Sequence, residues 1–101
     1  GKSSCENMLS ASQFALIKKQ ITESEFDDRK RATAEEYINR HYFSTAEIIE
    51  ILEMFTFEDT RLELAKLAYS RTCDAEKFSE VYSLFDFESS VNELKEFIEK
   101  N

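Results

Sequence analysis

One short pattern recurs along the chain at a nearly constant interval, and it constrains the fold more than any other feature. A phenylalanine followed by acidic or polar residues occurs at Phe26, Phe57 and Phe87, which are separated by 31 and 30 positions. A period of about 30 residues is the length of two short helices with their turns, and such units bury their apolar faces against one another. The interval therefore predicts an all-α fold built from successive helix pairs.

The apolar residues on both sides of the pattern recur with it. Upstream of the pattern, Ile17 corresponds to Ile48 and Phe78, and Ile21 corresponds to Leu52 and Tyr82. Downstream, Ala34 and Ile38 correspond to Ala65 and Tyr69, and the third copy has Leu94 and Ile98 at nearly the same offset. Spacings of three or four residues between apolar positions are typical of helices. We therefore expect six short helices arranged as three antiparallel pairs, in a small α-solenoid or a closed bundle.

Start signals place the helices along the chain. The first is predicted at about residues 9–22, and the second runs to about His41 from a capping box formed by Ser24 and Asp27. The predicted starts of the four later helices are Ser44 or Thr45, residues 56–59, Asp74 and Asp86. The fourth helix is apolar over more than half of its circumference, so we expect it at the centre of the stack, between terminal helices that keep one polar face.

Length and composition predict one domain without β-sheet. The 101 residues suffice for a single core, and the absence of Pro together with the single Gly argues against a sandwich or barrel, whose turns need both. We place the helical domain at residues 9–99, between an N-terminal tail at 1–8 and a C-terminal tail at 100–101. Gly1 without an initiating Met is typical of a scar left by tag removal, so the natural protein is expected to be longer.

Charge and spacing exclude several classes of function. The net charge is −8, with 21 acidic and 13 basic side chains, so a phosphate backbone would be repelled and nucleic-acid binding is not expected. No apolar run approaches the length of a membrane span, and no stretch has the ligand spacing of a zinc or calcium site or a glycine-rich phosphate loop. We therefore expect no membrane insertion of this segment, no metal and no cofactor.

The recurring phenylalanines have a structural interpretation that needs no ligand. The acids that follow Phe26, Phe57 and Phe87 fall in first helical turns, where negative charge complements the helix dipole. We expect the phenylalanines themselves to be buried plugs that lock one helix pair onto the next.

Few residues qualify as functional candidates, and none as catalytic. His41 is the only histidine, and a position at a helix C-terminus explains it better than catalysis. Tyrosine near arginine is typical of protein interfaces, so a candidate interaction surface consists of Tyr42, Arg40, His41 and Arg71. Cys5 and Cys73 either pair in one disulfide or remain two thiols.

Residues 24–28, 55–69 and 85–90 resemble the helical family catalogued as domain of unknown function 4476. The centre reads Phe-x-Phe-Glu-x-x-Arg-Leu followed by Ala-Lys-x-Ala-Tyr, and the match extends from about residue 8 to residue 98. The resemblance implies an all-helical domain without an assigned activity, often found in exported bacterial proteins and commonly at the end of a longer chain. It brings no catalytic residues, and it implies an extracytoplasmic location, which favours the Cys5–Cys73 bridge.

Three functions are compatible with these features. The first is a module that binds a protein or peptide, or has a structural role, within a larger exported protein. The second is a carboxylate-based hydrolase acting on a glycan or another polymer, which would require two converging acids in a deep pocket. The third is a homodimerisation module, which would require an exposed apolar patch.

Overall fold

The computed structural model describes residues 8–101, and six helical segments form its regular structure. Five are α-helices and one, between α4 and α5, is a 3₁₀ helix; their bounds are α1 Ala11–Thr22, α2 Asp27–Arg40, α3 Thr45–Leu52, α4 Glu58–Tyr69, the 3₁₀ helix Ala75–Leu84 and α5 Glu88–Lys100. The described part of the chain contains no β-strand, only one isolated bridge. The predicted all-α fold with six short helices is confirmed.

Serine capping boxes begin two of the helices. The Ser10 hydroxyl accepts a hydrogen bond from the backbone N–H of Gln13, and the backbone N–H of Ser10 donates to the side-chain oxygen of Gln13. Ser44 and Glu47 make the same two bonds. Each box satisfies two amides that the first turn of a helix leaves without partners. Of the two residues predicted to cap the third helix, the structure therefore selects Ser44.

The capping box predicted at Ser24 and Asp27 is wrong. Helix α2 begins at Asp27, and its N-cap is Phe26, which has no side chain able to accept a hydrogen bond. The other two pattern phenylalanines, Phe57 and Phe87, are likewise the N-caps of α4 and α5. In these helices acidic side chains in the first turn provide the favourable charge that a polar cap would otherwise supply.

The fifth predicted helix is wound as a 3₁₀ helix over ten residues. Such long 3₁₀ runs are uncommon because their hydrogen-bond geometry is poorer than that of an α-helix.

Asp74 is the N-cap of the 3₁₀ helix, at the start that the sequence predicts, but its carboxylate forms hydrogen bonds with a different helix. Its Oδ1 accepts from the backbone N–H of Thr45 at 2.7 Å and from the Thr45 hydroxyl at 2.9 Å, at the start of α3.

Helix α4 is central, as its wide apolar face predicts. It packs against α2, α3, the 3₁₀ helix and α5, whereas α1 packs mainly on α2. The 3₁₀ helix packs on α3 and α4 more extensively than on α5. The sequence repeat predicts instead that the 3₁₀ helix and α5 form a pair. Helices α2, α4 and α5 thus lie side by side in that order, with α3 beside the 3₁₀ helix.

The core is one apolar cluster that runs through all the described helices. Eighteen apolar residues among positions 8–101 are buried, including the predicted stripes of α1, α3 and the 3₁₀ helix: Phe14, Ile17 and Ile21; Ile48, Leu52 and Phe55; Phe78, Val81 and Phe85. Thr45 and Thr72 are the buried polar residues, and both hydroxyls are hydrogen-bonded. Burial of this size is the main favourable term for a domain of about 100 residues.

Backbone hydrogen bonds join the two loops that surround the Thr45–Asp74 contact. The N–H of Phe43 donates to the carbonyl of Arg71 at 2.8 Å, and the N–H of Cys73 donates to the carbonyl of Phe43 at 2.9 Å. Phe43 is fully buried. The loop before α3 is therefore fixed to the loop after α4 by main-chain as well as side-chain hydrogen bonds.

The predicted burial of Phe26, Phe57 and Phe87 is wrong. Their side chains are 71%, 59% and 63% exposed. An N-cap residue has extended backbone angles and lies before the first helical turn, so its side chain does not belong to the helix's apolar stripe. The buried plugs are instead Phe55 and Phe85, which lie two residues earlier.

Candidate functional site

Three exposed phenylalanines form the most unusual surface feature, which we call the phenylalanine row: Phe26, Phe57 and Phe87. They account for three of the four large apolar side chains that are exposed in residues 8–101, the other being Leu16 on α1. Each is the N-cap of one of the side-by-side helices α2, α4 and α5. Adjacent packed helices have axes about 8–10 Å apart, which sets the scale of the spacing along the row.

A carboxylate fixes the start of α5 against the start of α4. Glu58, the first residue of α4, accepts hydrogen bonds from the backbone N–H groups of Asp86 at 2.8 Å and Phe87 at 3.1 Å. Partial burial opposes ionisation of Glu58, but hydrogen bonds from Ser90, Asp86 and Phe87 and the charge of Arg61 prevail and lower its pKa below the ordinary 4.5. The two N-termini, and hence Phe57 and Phe87, are therefore held side by side.

Two cations likewise join a helix to the end of the next helical segment along the chain. Lys30, in the second turn of α2, donates to the carbonyl of Met54 after α3. Arg61 has the same position in α4, and it donates through Nη1 to the carbonyl of Leu84, at the end of the 3₁₀ helix, at 2.9 Å. Its Nε also donates to the carbonyl of Phe55 at 2.8 Å. Positive groups at these C-terminal carbonyls are favoured by the helix dipole.

The row lies among negative charges. Acidic side chains follow each phenylalanine in the first turn of its helix: Asp27 and Asp28, Glu58 and Asp59, and Glu88. Glu58 is half-buried and the other four are exposed. The surface thus combines aromatic side chains with acidic groups.

The structure brings together only some of the residues of the predicted interaction surface. The guanidinium of Arg71 lies over the ring of Tyr42, 5.4 Å from its centroid. Arg40 instead pairs with Glu36 within α2, at 2.8 Å. The ring of His41 stacks on Tyr37, as expected of a residue that packs at the end of a helix. A binding role for these four residues stays a prediction.

Of the two cysteines, Cys73 lies within the described residues and Cys5 lies outside them. Cys73 is half-buried, in the loop fixed to Phe43, and its sulfur lies 3.2 Å from that of Met8. The Cys5–Cys73 disulfide accordingly stays a prediction.

One open cavity adjoins the row at Phe26. It has a volume of about 360 Å³ and lies between the end of α1 and the start of α2. Its lining includes Gln20, Glu23, Ser24, Phe26, Arg29 and Thr33. In residues 8–101 there is no group of three or more His, Cys, Asp or Glu side chains placed to hold a metal ion, and no helix is both long and apolar enough to cross a membrane.

The sequence analysis missed the row because it predicted each recurring phenylalanine to be a buried plug between helix pairs. The signal that could have identified it is positional. A residue immediately before an acidic first turn is in the N-cap position, where apolar side chains are not favoured for stability. Three apolar N-caps at matching positions therefore indicate something other than capping.

Comparison with known proteins identifies a family but no activity. The family model described as "Domain of unknown function (DUF4476)" matches residues 8–98. No match is found among curated proteins, and none among solved structures.

Proposed function

Because the chain belongs to the DUF4476 family, which has no assigned activity, we propose from its surface that it is a protein-binding module of a larger exported protein. The ligand is an extended polypeptide segment that carries both apolar and basic side chains. It lies across the N-termini of α2, α4 and α5, along the phenylalanine row.

The exposure of the row is the observation that carries this proposal. A phenylalanine side chain that is mostly exposed contributes little to folding, yet the chain places one at each of three matched positions, with exposures from 59% to 71%. Aromatic side chains are enriched at the centres of protein interfaces, where burying each adds a large apolar area. The Glu58 carboxylate holds Phe57 and Phe87 in a fixed relation, so little ordering is required on binding.

Charge favours a basic partner over a second copy of the chain. The acids that flank the row repel an identical surface, and the net charge of −8 adds to that repulsion. Lysine and arginine in the partner pair with these acids and accelerate association at low salt. A hydrolase gains no support from Glu58, since a lowered pKa is the opposite of what a general acid requires.

The test uses an array of short random peptides and a variant without the row. The wild-type domain is expected to select peptides that combine aromatic or aliphatic residues with lysine or arginine, and raising the salt concentration should weaken their binding. The triple variant Phe26→Ala, Phe57→Ala, Phe87→Ala should lose them. Because all three side chains are exposed, this variant should fold, which circular dichroism and the midpoint of unfolding would verify.

Leu16→Ala provides a matched control. Leu16 is 57% exposed, a fraction similar to the 59% of Phe57, but it lies within α1 and is not part of the row. The control should bind the selected peptides as the wild type does. Equal binding by the triple variant would overturn the proposal. A dimer that depends on the row, observed by light scattering, would replace it with self-association.

A further inference from the structure

The cavity beside Phe26 is lined by polar residues at three positions whose counterparts elsewhere in the chain are apolar. We call α1 with α2 the first helix pair, α3 with α4 the second, and the 3₁₀ helix with α5 the third. The second and third pairs bury an apolar side chain at each of these positions, whereas the first pair has a polar one. Offsets of 31 and 30 residues give the columns Gln20, Ile51, Val81; Ser24, Phe55, Phe85; and Thr33, Leu64, Leu94. The six apolar members are at most 8% exposed, and the three polar ones all line the cavity.

At the two matched places elsewhere in the fold, a cationic side chain bonds the corresponding carbonyl. At the corresponding place in the second pair, the ammonium of Lys30 bonds the carbonyl of Met54 and lies 5.1 Å from the ring centroid of Phe55. In the third pair, Arg61 bonds the carbonyl of Leu84. In both cases the cation comes from the preceding pair. Glu23 occupies the position of Met54 and Leu84 in the first pair, and no described side-chain cation bonds its carbonyl.

From this correspondence we propose that the cavity at the end of α1 binds a lysine or arginine side chain of the partner polypeptide. The proposal rests on the peptide-binding function above and locates the basic residue of the ligand next to Phe26, at one end of the phenylalanine row. The bound cation occupies the place that Lys30 and Arg61 occupy in the next two pairs. The cavity thereby determines which residue of the partner is anchored and in which direction the segment runs.

The lining suits a cation that keeps hydrogen bonds. The end of α1 carries the negative pole of the helix dipole, and Glu23 and Glu25 add two carboxylates against the single positive charge of Arg29. Gln20, Ser24 and Thr33 offer oxygen acceptors. The exposed ring of Phe26 provides an aromatic face, on which a guanidinium or ammonium gains further attraction.

Small probes test the cavity separately from the row. The ¹⁵N-labelled domain is titrated with N-acetyl-L-arginine amide, with N-acetyl-L-lysine amide and with the uncharged analogue N-acetyl-L-citrulline amide. A charged probe should shift the backbone amide signals of residues 20–33 in a saturable way, and citrulline should bind at least about tenfold more weakly.

Two variants and one control complete the test. Ser24→Phe installs the residue found at the matched positions and should abolish the shifts by filling the cavity. Should that side chain disturb packing, Glu23→Gln with Glu25→Gln removes charge from two exposed positions without altering shape, and should weaken binding at least about tenfold. Leu16→Ala should leave the titration unchanged.

The outcomes separate the two proposals. Absence of saturable shifts, equal binding of citrulline, or unaltered binding by the filled variant overturns the cation site. If those results occur while selected peptides still depend on the row, only this inference fails. If the charged probes bind but no peptide depends on the row, the peptide-binding function fails and the cation chemistry of the cavity stands.

Discussion

Phe55 and Phe57 are separated by one residue, yet Phe55 is 2% exposed and Phe57 is 59% exposed. Phe55 ends the buried stripe that begins on α3, whereas Phe57 is the N-cap of α4. The same contrast recurs between Phe85, which is 8% exposed, and Phe87, which is 63% exposed. In both pairs the first phenylalanine belongs to the core and the second to the surface.

Substituting these neighbours should have opposite consequences. Phe55→Ala should destabilise the domain by about 3–5 kcal/mol because it leaves a cavity in the core. Phe57→Ala should change the free energy of unfolding by no more than about 0.5 kcal/mol, as at other exposed positions. Urea unfolding of both variants measures the difference. Equal losses in the two would contradict the assignment of Phe57 to the surface.

Glu58 should make the stability depend on acidity. Its pKa is lowered in the folded state, so the unfolded state takes up the proton first as the pH falls. The stabilisation is present above the ordinary value of 4.5 and is lost as the pH drops through the lower folded pKa. Glu58→Gln should lower the melting temperature at neutral pH and flatten the decline below 4.5.

Glu88→Gln is the matched control for that experiment. Glu88 is the first residue of α5, as Glu58 is of α4, but it makes no side-chain hydrogen bond within residues 8–101. Its replacement should alter the acid dependence less than that of Glu58 does, because it removes a charge but no hydrogen bond. Parallel pH profiles for the wild type and the Glu58 variant would show that this carboxylate does not hold the two N-termini.

Arg61 should contribute more to the free energy of unfolding than an exposed arginine does. Its side chain bonds the carbonyls of Phe55 and Leu84, and hydrogen bonds from charged donors are among the stronger ones. Arg61→Met, which keeps much of the aliphatic packing, should cost about 2 kcal/mol. Arg40→Met should cost about 0.5 kcal/mol or less, because Arg40 makes only an exposed pair with Glu36. Chemical denaturation compares the two, and similar losses would argue against a connecting role for Arg61.

Asp74 should be required for joining the loops before α3 and after α4. Its carboxylate satisfies the N–H and hydroxyl of Thr45, which is 1% exposed. Asp74→Ala should cost about 1–3 kcal/mol, since buried donors lose a partner. Asp86→Ala removes an exposed acid that precedes α5 and serves as the comparison. Hydrogen exchange should detect faster opening at Phe43 and Cys73 in the Asp74 variant alone.

The cysteines give a chemical test of the predicted location. If the domain acts outside the cytoplasm, we expect Cys5 and Cys73 to be bonded in protein prepared under oxidising conditions. Thiol alkylation before reduction, followed by mass measurement, should then add no label to either residue. Labelling of both would remove the support that a disulfide gives to export.

The helices could be predicted without a structure, because the spacing of apolar residues and the interval of the repeat can be read directly from the chain. The same spacing located the core stripes of α1, α3 and the 3₁₀ helix and placed α4 at the centre. The sequence could not show whether the fold would bury or expose each recurring phenylalanine. That depends on a shift of one or two positions at a helix start, which decides whether a side chain joins the stripe or precedes it.

Tertiary structure decided the contacts that cross between repeats. The carboxylates of Asp74 and Glu58 bond backbone amides 29 and 28 positions away, and Lys30 reaches a carbonyl 24 positions away. Backbone partners leave no signature in the sequence, since every residue offers the same amide and carbonyl. The candidate surface follows from these contacts, because they hold the helix N-termini side by side and leave the three phenylalanines outside the core.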